Sequence, residues 1–337
     1  MPATSSSSAP KRKRLPRWRR WLAVLVALGL LVWLAVAPDI PPEVLVERYG
    51  QPPSRFIRLP SGAVAHYRDQ GNPTGPPLLL LHGWQASLHT WEPWVAELGD
   101  ELRLISVDLP GHGLTGPVPS DDYRLEATVG FVTELLDGLH IGRCHVAGSS
   151  MGGLIAWQLA ARRPDRVDHL ILIDAAGYPT HGRLATGFGA AQLWLLRPVL
   201  RWVTPRWAVE HILREVFYHD ERFVTEAMIT RYDELIRRQG NRHANLRLLS
   251  VSYDVDTELQ RLHTVTQPAL ILWGDRDPWL PVSDGESFHR DLPGSILRVY
   301  PEVGHLPMEE AARASAADAR AFLRGELAAA PAEETAP

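Results

Sequence analysis

The sequence predicts an α/β fold, a parallel sheet with helices on both faces and an inserted helical lid. Two observations carry this. Short, continuous apolar runs such as Leu78–Leu81 alternate with segments of helical periodicity, the pattern of strands buried on both faces and joined by crossover helices. The alternation is then interrupted from Tyr178 to about Gln267 by roughly 90 residues of helical periodicity with little strand signal, a length typical of an insertion rather than a connection.

In chain order, Arg55–Leu59 and Ala63–Asp69, joined around Ser61 and Gly62, read as a hairpin. Leu78–Leu81 and Leu102–Val107 read as buried strands on either side of a helix over Ser87–Leu98. Arg124–Leu139 is a helix whose Leu125, Val129, Val132, Leu136 and Leu139 recur at helical spacing. Cys144–Ala147 is a short strand, and a helix follows from Met151 to about Arg162. Leu170–Ile173, Leu270–Trp273 and Ile296–Tyr300 are further strands, and a helix runs through about Met308–Leu327. Within the lid, Gln192–Val203 and Phe223–Gln239 show helical spacing. The expected organisation is a fold domain over 55–327 with its lid at 178–267, a Pro-rich linker at 38–54 and a flexible tail at 328–337.

The chain of 337 residues carries 35 Lys+Arg against 39 Asp+Glu, and 45% of it is hydrophobic. It is too apolar and too nearly neutral for a disordered chain, and its one cysteine, Cys144, excludes an internal disulfide framework and a Cys-rich zinc site. The net charge of -4 conceals an uneven distribution. Residues 1–20 hold seven cations and no anion, leaving 28 cations against 39 anions in the rest. Trp21–Ala37 follows, 17 residues without a charge, spanning roughly 25 Å as a helix at about 1.5 Å per residue. Trp18, Trp21 and Trp33 lie near its ends, where membrane-interface aromatics sit.

The expectation is a retained transmembrane anchor at 21–37, a basic cytoplasmic tail at 1–20 and an extracytoplasmic body. A cleaved signal peptide is the alternative, since Ala35-Val36-Ala37 has the small-x-small form, although Pro38 directly after it should hinder cleavage. A nuclear or nucleic-acid patch at Lys11–Arg14 is the weakest of the three readings, and no nucleic-acid partner is expected.

Chemistry points to Gly148-Ser149-Ser150-Met151-Gly152. It fits G-x-S-x-G with Ser150 at the centre, between a predicted strand and a predicted helix. The flanking Gly148 and Gly152 let strand and helix approach while the serine is held in a sharp turn. The competing reading is a glycine turn whose serine caps the helix. A serine nucleophile needs a base and a group to orient it. His305, on the loop after the last strand, opens at the same sheet edge as Ser150. His289 reads as a solvated helix residue, and His66 and His169 as lying at the opposite edge. Asp277, one short loop beyond Leu270–Trp273, is the acid of choice, with Asp275 and Asp174 as alternatives. Oxyanion donors are expected from Met151 N–H and from Trp84 N–H, in the loop His82-Gly83-Trp84. His82 reads as structural and Asp108–Gly113 as a turn. A metal role for His112 with Asp108 has no third ligand at recognisable spacing, so neither a metal nor an organic cofactor is expected.

Together, His82-Gly83-Trp84, Asp108–Gly113, the turn at Ser150, Gly274–Asp277 and Gly304-His305 resemble the α/β-hydrolase superfamily over residues 55–325. The resemblance implies an eight-stranded, mostly parallel sheet with a lid after strand six. The chain is most similar to the branch of esterases, lipases and meta-cleavage C–C hydrolases. A serine at 150 separates it from dehalogenases and epoxide hydrolases, which use Asp. Ser149 stands where that branch often has His, Asn or Gln. The implied activity is carboxylic ester hydrolysis. The lid stretch Phe188–Trp207, rich in Trp and Leu, reads either as ordinary packing of lid helices on the core or as an acyl tunnel or membrane-facing entrance for an apolar small molecule. The alternatives are C–C bond hydrolysis by the same triad and a non-catalytic tethered binding protein on the same fold.

Overall fold

The computed structural model describes residues 36–179, 202–251 and 254–327, together with Trp18, Arg19, Trp21, Leu22, Val24, Leu25, Val26 and Gly29. The chain divides into two units, Met1–Val36 and Ala37–Pro337. In the first, the eight described positions from Trp18 to Gly29 are helical, and Trp18, Trp21, Leu22, Val24, Leu25 and Val26 are all exposed. Among the described residues no helix is long and apolar enough to cross a membrane. Most of the expected span at 21–37, the cluster Lys11–Arg14, the expected helix over Gln192–Val203 but for its last two residues, and the tail 328–337 lie outside them.

The second unit is built on one eight-stranded sheet. Its strands are β1 (Ser54–Arg58), β2 (Val64–Gly71), β3 (Pro77–Leu81), β4 (Arg103–Val107), β5 (Cys144–Ser149), β6 (Val167–Ile173), β7 (Ala269–Gly274) and β8 (Ile296–Tyr300). They lie in the order β1-β2-β4-β3-β5-β6-β7-β8. β1 and β2 form the antiparallel hairpin, and β2 is also antiparallel to β4. The pairs from β4 through β8 are parallel, so six strands end at one edge.

Alternate side chains of these strands enter opposite cores, as the two-residue period of a strand requires. Leu79 and Leu81 of β3 pack in one core with Leu170 and Leu172 of β6. Leu78 and Leu80 pack in the other with Ile171 and Ile173. The first core is covered by α3 (Leu125–Gly138), α4 (Met151–Arg162) and α9 (Val282–Asp291). The second is covered by α2 (Glu92–Leu98), α11 (Ala312–Leu323) and the described part of the lid. Burial on both faces is why the strands read as unbroken apolar runs.

The described lid is helical, as expected. It comprises α5 (Arg206–Ile212), a π-helical segment Leu213–Phe217, α6 (Glu226–Ile236), α7 (Asn241–Leu248) and α8 (Val255–Leu262). The predicted final helix is broken into α10 (Pro307–Glu310) and α11.

The expected linker at 38–54 requires correction, because Pro42–Tyr49 forms a helix, α1. Its proline stands at the first helical position, where the missing N–H has no intrahelical partner to lose. Prolines that read as a linker therefore start a helix instead. Leu45 is fully buried and packs with Leu114 and Leu235. Ile40 N–H donates to Arg237 O at 2.8 Å, and Arg242 pairs with Asp39, so this segment is fastened to the lid. Leu45→Ala is expected to lower unfolding stability by about 2–4 kcal/mol through loss of burial and an unfilled cavity; denaturant titration measures it, and a free linker would show no change.

Candidate active site

Strand order places the site. β3 lies between β4 and β5, so the chain leaves β3 toward one side and later returns on the other. Loops diverge at such a point and leave a crevice beyond the carboxyl ends. Ser150 follows β5 there, as the residue between β5 and α4.

Its backbone has φ +54° and ψ -118°, a conformation L-residues adopt rarely and at a cost of about 1–3 kcal/mol. Hydrogen bonds over-determine it. Ser150 N–H donates to Ile173 O at 3.0 Å, and Ser150 O accepts from Ala176 N–H at 3.0 Å. Neighbouring glycines make the turn possible. A Cβ on Gly148 would stand 2.2 Å from Gly152 O, and one on Gly152 would stand 2.1 Å from Leu81 O. The loop after β3 passes directly over the serine, since a Cβ on Gly83 would lie 3.1 Å from Ser150 Cβ and 3.7 Å from its Oγ. Trp84 follows Gly83, and Met151 opens α4. These are the two positions expected to supply oxyanion donors.

His305 and Asp277 come together as expected. His305 Nδ1–H donates to Asp277 Oδ2 at 2.6 Å, and both side chains are essentially excluded from solvent. Asp277 Oδ1 accepts from Trp279 N–H at 2.7 Å and Leu280 N–H at 3.1 Å. Three N–H groups thus hold the carboxylate, two of them from its own loop. Asp275 is instead 3.8 Å from Arg276, which also pairs with Glu302. Asp174 is fully buried and accepts from Gly274 N–H at 3.1 Å.

The remaining histidines separate on geometry. His82 is buried, and Leu109 N–H donates to its Nε2 at 2.9 Å. Its Nδ1–H therefore donates to Gly83 O, at 2.7 Å. Burial holds its pKa down, and this neutral ring ties the β3 and β4 loops together. His66 corrects the expectation that it lies at the opposite edge. β2 runs antiparallel to β4, which brings His66 beside Asp108; its Nδ1–H donates to Asp108 Oδ2 at 2.6 Å. Asp108 also accepts from Leu88 N–H and Leu114 N–H. Burial opposes its ionisation, yet His66 with His82 and His89 together outweigh that, and its pKa falls below the usual carboxylate range. Gly111 and Gly113 have positive φ, as their turn role requires. His289 bonds Ser295, and His169 packs against His145. Burial pushes the Cys144 thiol up to about 12, so it is no competing nucleophile.

Asp174, Asp277 and His305 form the one cluster of three such donors gathered within 4.8 Å among the described residues. His112 with Asp108 gains no third member. The His305 ring is flanked by Trp279 at 5.4 Å and Phe217 at 5.9 Å, and Trp84 lies 6.3 Å from Trp279. The wall around the histidine is aromatic.

These features place the chain. A family profile described as alpha/beta hydrolase fold matches residues 76–312. The protein belongs to the α/β-hydrolase family. It is 30% identical to a pimeloyl-[acyl-carrier protein] methyl ester esterase of Nitrosomonas europaea, over 73% of this chain and 94% of that protein. It is 27% identical to a 2-hydroxy-6-oxononadienedioate/2-hydroxy-6-oxononatrienedioate hydrolase of Cupriavidus pinatubonensis, over 77% of this chain and 92% of that one. Among solved structures it is similar to a bacterial membrane phospholipase A, with 25% identity, a TM-score of 0.69 and coverage of 92% and 97%.

Contacts between lid and histidine loop were not anticipated from sequence. His305 N–H donates to Phe217 O at 3.0 Å. Glu310 accepts from Gly304 N–H, His219 N–H and Asp220 N–H at 2.8–2.9 Å. Its neighbour Glu309 accepts from Tyr218 OH at 2.7 Å and from Thr90. Two adjacent acids just after His305 are the only sequence sign of this arrangement.

Burial pushes Glu309 up to about 7, against the pull of its hydrogen bonds to Thr90 and Tyr218. Its pKa is thus higher folded than unfolded. The stability it contributes is complete below the ordinary value of 4.5 and is lost as pH rises through about 7. The stability difference between wild type and Glu309→Gln should therefore change by on the order of 3 kcal/mol over that window. Denaturant titrations of both proteins at a series of pH values check this; parallel curves would refute it.

Proposed function

We propose that this protein is a membrane-anchored serine hydrolase that cleaves carboxylic esters of apolar acyl groups. The observation that carries the reading is a strained serine at the strand crossover crevice with a buried His–Asp pair at the same edge. Ser150 Oγ attacks the acyl carbonyl while His305 Nε2 takes its proton. Asp277 holds the ring by Nδ1–H and stabilises the imidazolium that forms. Met151 and Trp84 N–H groups receive the oxyanion, each worth about 2.7–4 kcal/mol in the transition state. Collapse expels the alcohol, protonated by His305, and leaves an acyl-serine. His305 then deprotonates a water, which attacks the acyl carbon; the acid departs and Ser150 regains its proton.

The aromatic wall around His305 supports an apolar substrate. So does a cavity of about 70 Å³ lined by Leu109, Met151, Leu154, Ile155, Leu248 and Val251, which adjoins the residue after Ser150. Membrane attachment is supported by the basic head, the uncharged run and the exposed apolar helix positions at 18–26. Ala37 N–H donates to Trp202 O at 3.1 Å, so the uncharged run ends beside the exposed Trp202. The excess of cations before that run supports a hydrolase domain outside the cytoplasm. Hydrolysis of a C–C bond by the same triad is a second reading, favoured by the likeness to the oxononadienedioate hydrolase.

Ser150→Ala should lower turnover of p-nitrophenyl esters by at least about a thousand-fold and abolish labelling by a fluorophosphonate. Undiminished labelling would end the assignment. A rise in kcat/KM with acyl length supports the apolar acyl site; preference for acetyl esters counts against it, and turnover of a ring-fission product in place of esters selects the second reading.

A further inference from the structure

Two buried carboxyl groups stand behind His305, and the proposed reaction uses one. Asp174 follows β6 with φ +39° and is fully buried. Its Oδ1 accepts one hydrogen bond, from Gly274 N–H. Its Oδ2 is buried without a hydrogen-bond partner. One carboxyl oxygen of Asp174, one of Asp277 and a ring nitrogen of His305 all lie within 4.8 Å of one another.

Like charges this close and this dry do not both persist near neutral pH; a single proton is retained by the pair. The donors decide where it resides. Asp277 receives three N–H groups, from His305, Trp279 and Leu280, whereas Asp174 receives one. The anion is therefore favoured on Asp277 and the proton on Asp174. The surroundings add to this. Burial and then the Asp277 charge push the Asp174 pKa well up; the Gly274 N–H opposes them less strongly, and a hydrogen bond that protonated Asp174 donates to Asp277 and the charge of Glu310 of α10 add smaller upward pushes. Tyr300, at the end of β8, lies within electrostatic reach of Asp174, donates its hydroxyl to Asp318 and carries no positive charge.

We propose that Asp174 is a positioning residue that retains a proton behind the His305–Asp277 pair, so that the two carboxyl groups share one negative charge. The consequence is a tuned base. A second anion beside His305 would stabilise the imidazolium further and make the ring a slower donor to the leaving group. One anion orients the ring and still allows it to accept the serine proton. Asp174 is also a reserve. With Asp277 gone, nothing of like charge opposes its ionisation beside the ring.

This rests on His305 acting as the base for Ser150, so Ser150→Ala is assayed alongside; wild-type turnover in that variant fails the triad reading whatever Asp174 does. The test is kcat/KM against pH for p-nitrophenyl ester hydrolysis by the full chain, with folding checked by circular dichroism. Asp174→Asn, an amide standing in for a neutral acid, should cost no more than about three-fold and leave the acid limb within about 0.3 pH unit. Asp174→Ala, which removes the acceptor for Gly274 N–H, should cost about ten-fold or more. In an Asp277→Asn background, adding Asp174→Asn should cost at least about ten-fold, and the acid limb should fall. A fall of a unit or more in Asp174→Asn alone would show that Asp174 is an anion and overturn the proposal, as would an equal cost in both backgrounds. Should the Asp174 variants fail to fold, Asp277→Asn alone decides: an acid limb within a unit of wild type supports the reserve, and a larger fall refutes it.

Discussion

The close approach of α4 to the end of β3 is the contact on which the rest depends. Gly152 lies so near Leu81 O that a Cβ would stand 2.1 Å from it. That proximity requires the chain to turn within a single residue after β5, and the residue in the turn is Ser150 at φ +54°. Backbone strain, a hydroxyl held above the sheet edge and a helix that starts at the serine are thus one geometric fact. Two glycines, each two positions from the serine, are the chemical condition for it, since a Cβ at either would clash with backbone. The cost is met by the sheet itself, because Ile173 of the neighbouring strand receives the Ser150 N–H.

Around that turn the protein controls charge rather than accumulating it. Five strands besides β5 end at the same edge, and each is followed by polar groups. Most of these are committed to structure. His82 joins two loops as a neutral ring, and Asp108 is enclosed by His66 and two backbone N–H groups. Without those bonds the loops would carry buried, unpaired groups at about 1–3 kcal/mol each. What remains gathers at His305: one carboxylate with three donors, and a second carboxyl with a single donor. The difference in donor supply separates two chemically identical side chains into an anion and an acid, the same principle by which environment assigns roles to paired carboxyls in general.

The sheet was legible in the sequence because its strands are covered on both faces. Leu78–Leu81 and Leu270–Trp273 have no other reading as short apolar runs between turns, and all eight strands fall where expected to within a few residues. Ser150, His305 and Asp277 were legible because each follows a parallel strand, and topology alone brings such positions to one edge. Three things were not. α1 was hidden by prolines, which mark a linker and a helix start with the same letter. His66 was misplaced because an antiparallel strand reverses which end of it meets the site. The proximity of Asp174 to Asp277 depends on how β6 and β7 pair, and adjacent strands leave no trace of their register in local spacing.

The lid and the catalytic edge are mechanically one body on their shared side. Phe217, at the end of the π-helical segment, accepts from His305 N–H, and its ring packs near the imidazole. Glu310 gathers N–H groups from the histidine loop and from His219 and Asp220 of the lid on a single carboxylate. A displacement of this strut would carry the base with it. Moving the lid on this side without moving the base would require breaking these bonds. The segment that enters this body is held to the same lid, Ala37 at Trp202, Ile40 at Arg237 just after α6, and Asp39 at Arg242 of α7. The histidine loop and the start of the hydrolase domain are thus fixed to one insertion, each through backbone groups that would otherwise be left unpaired.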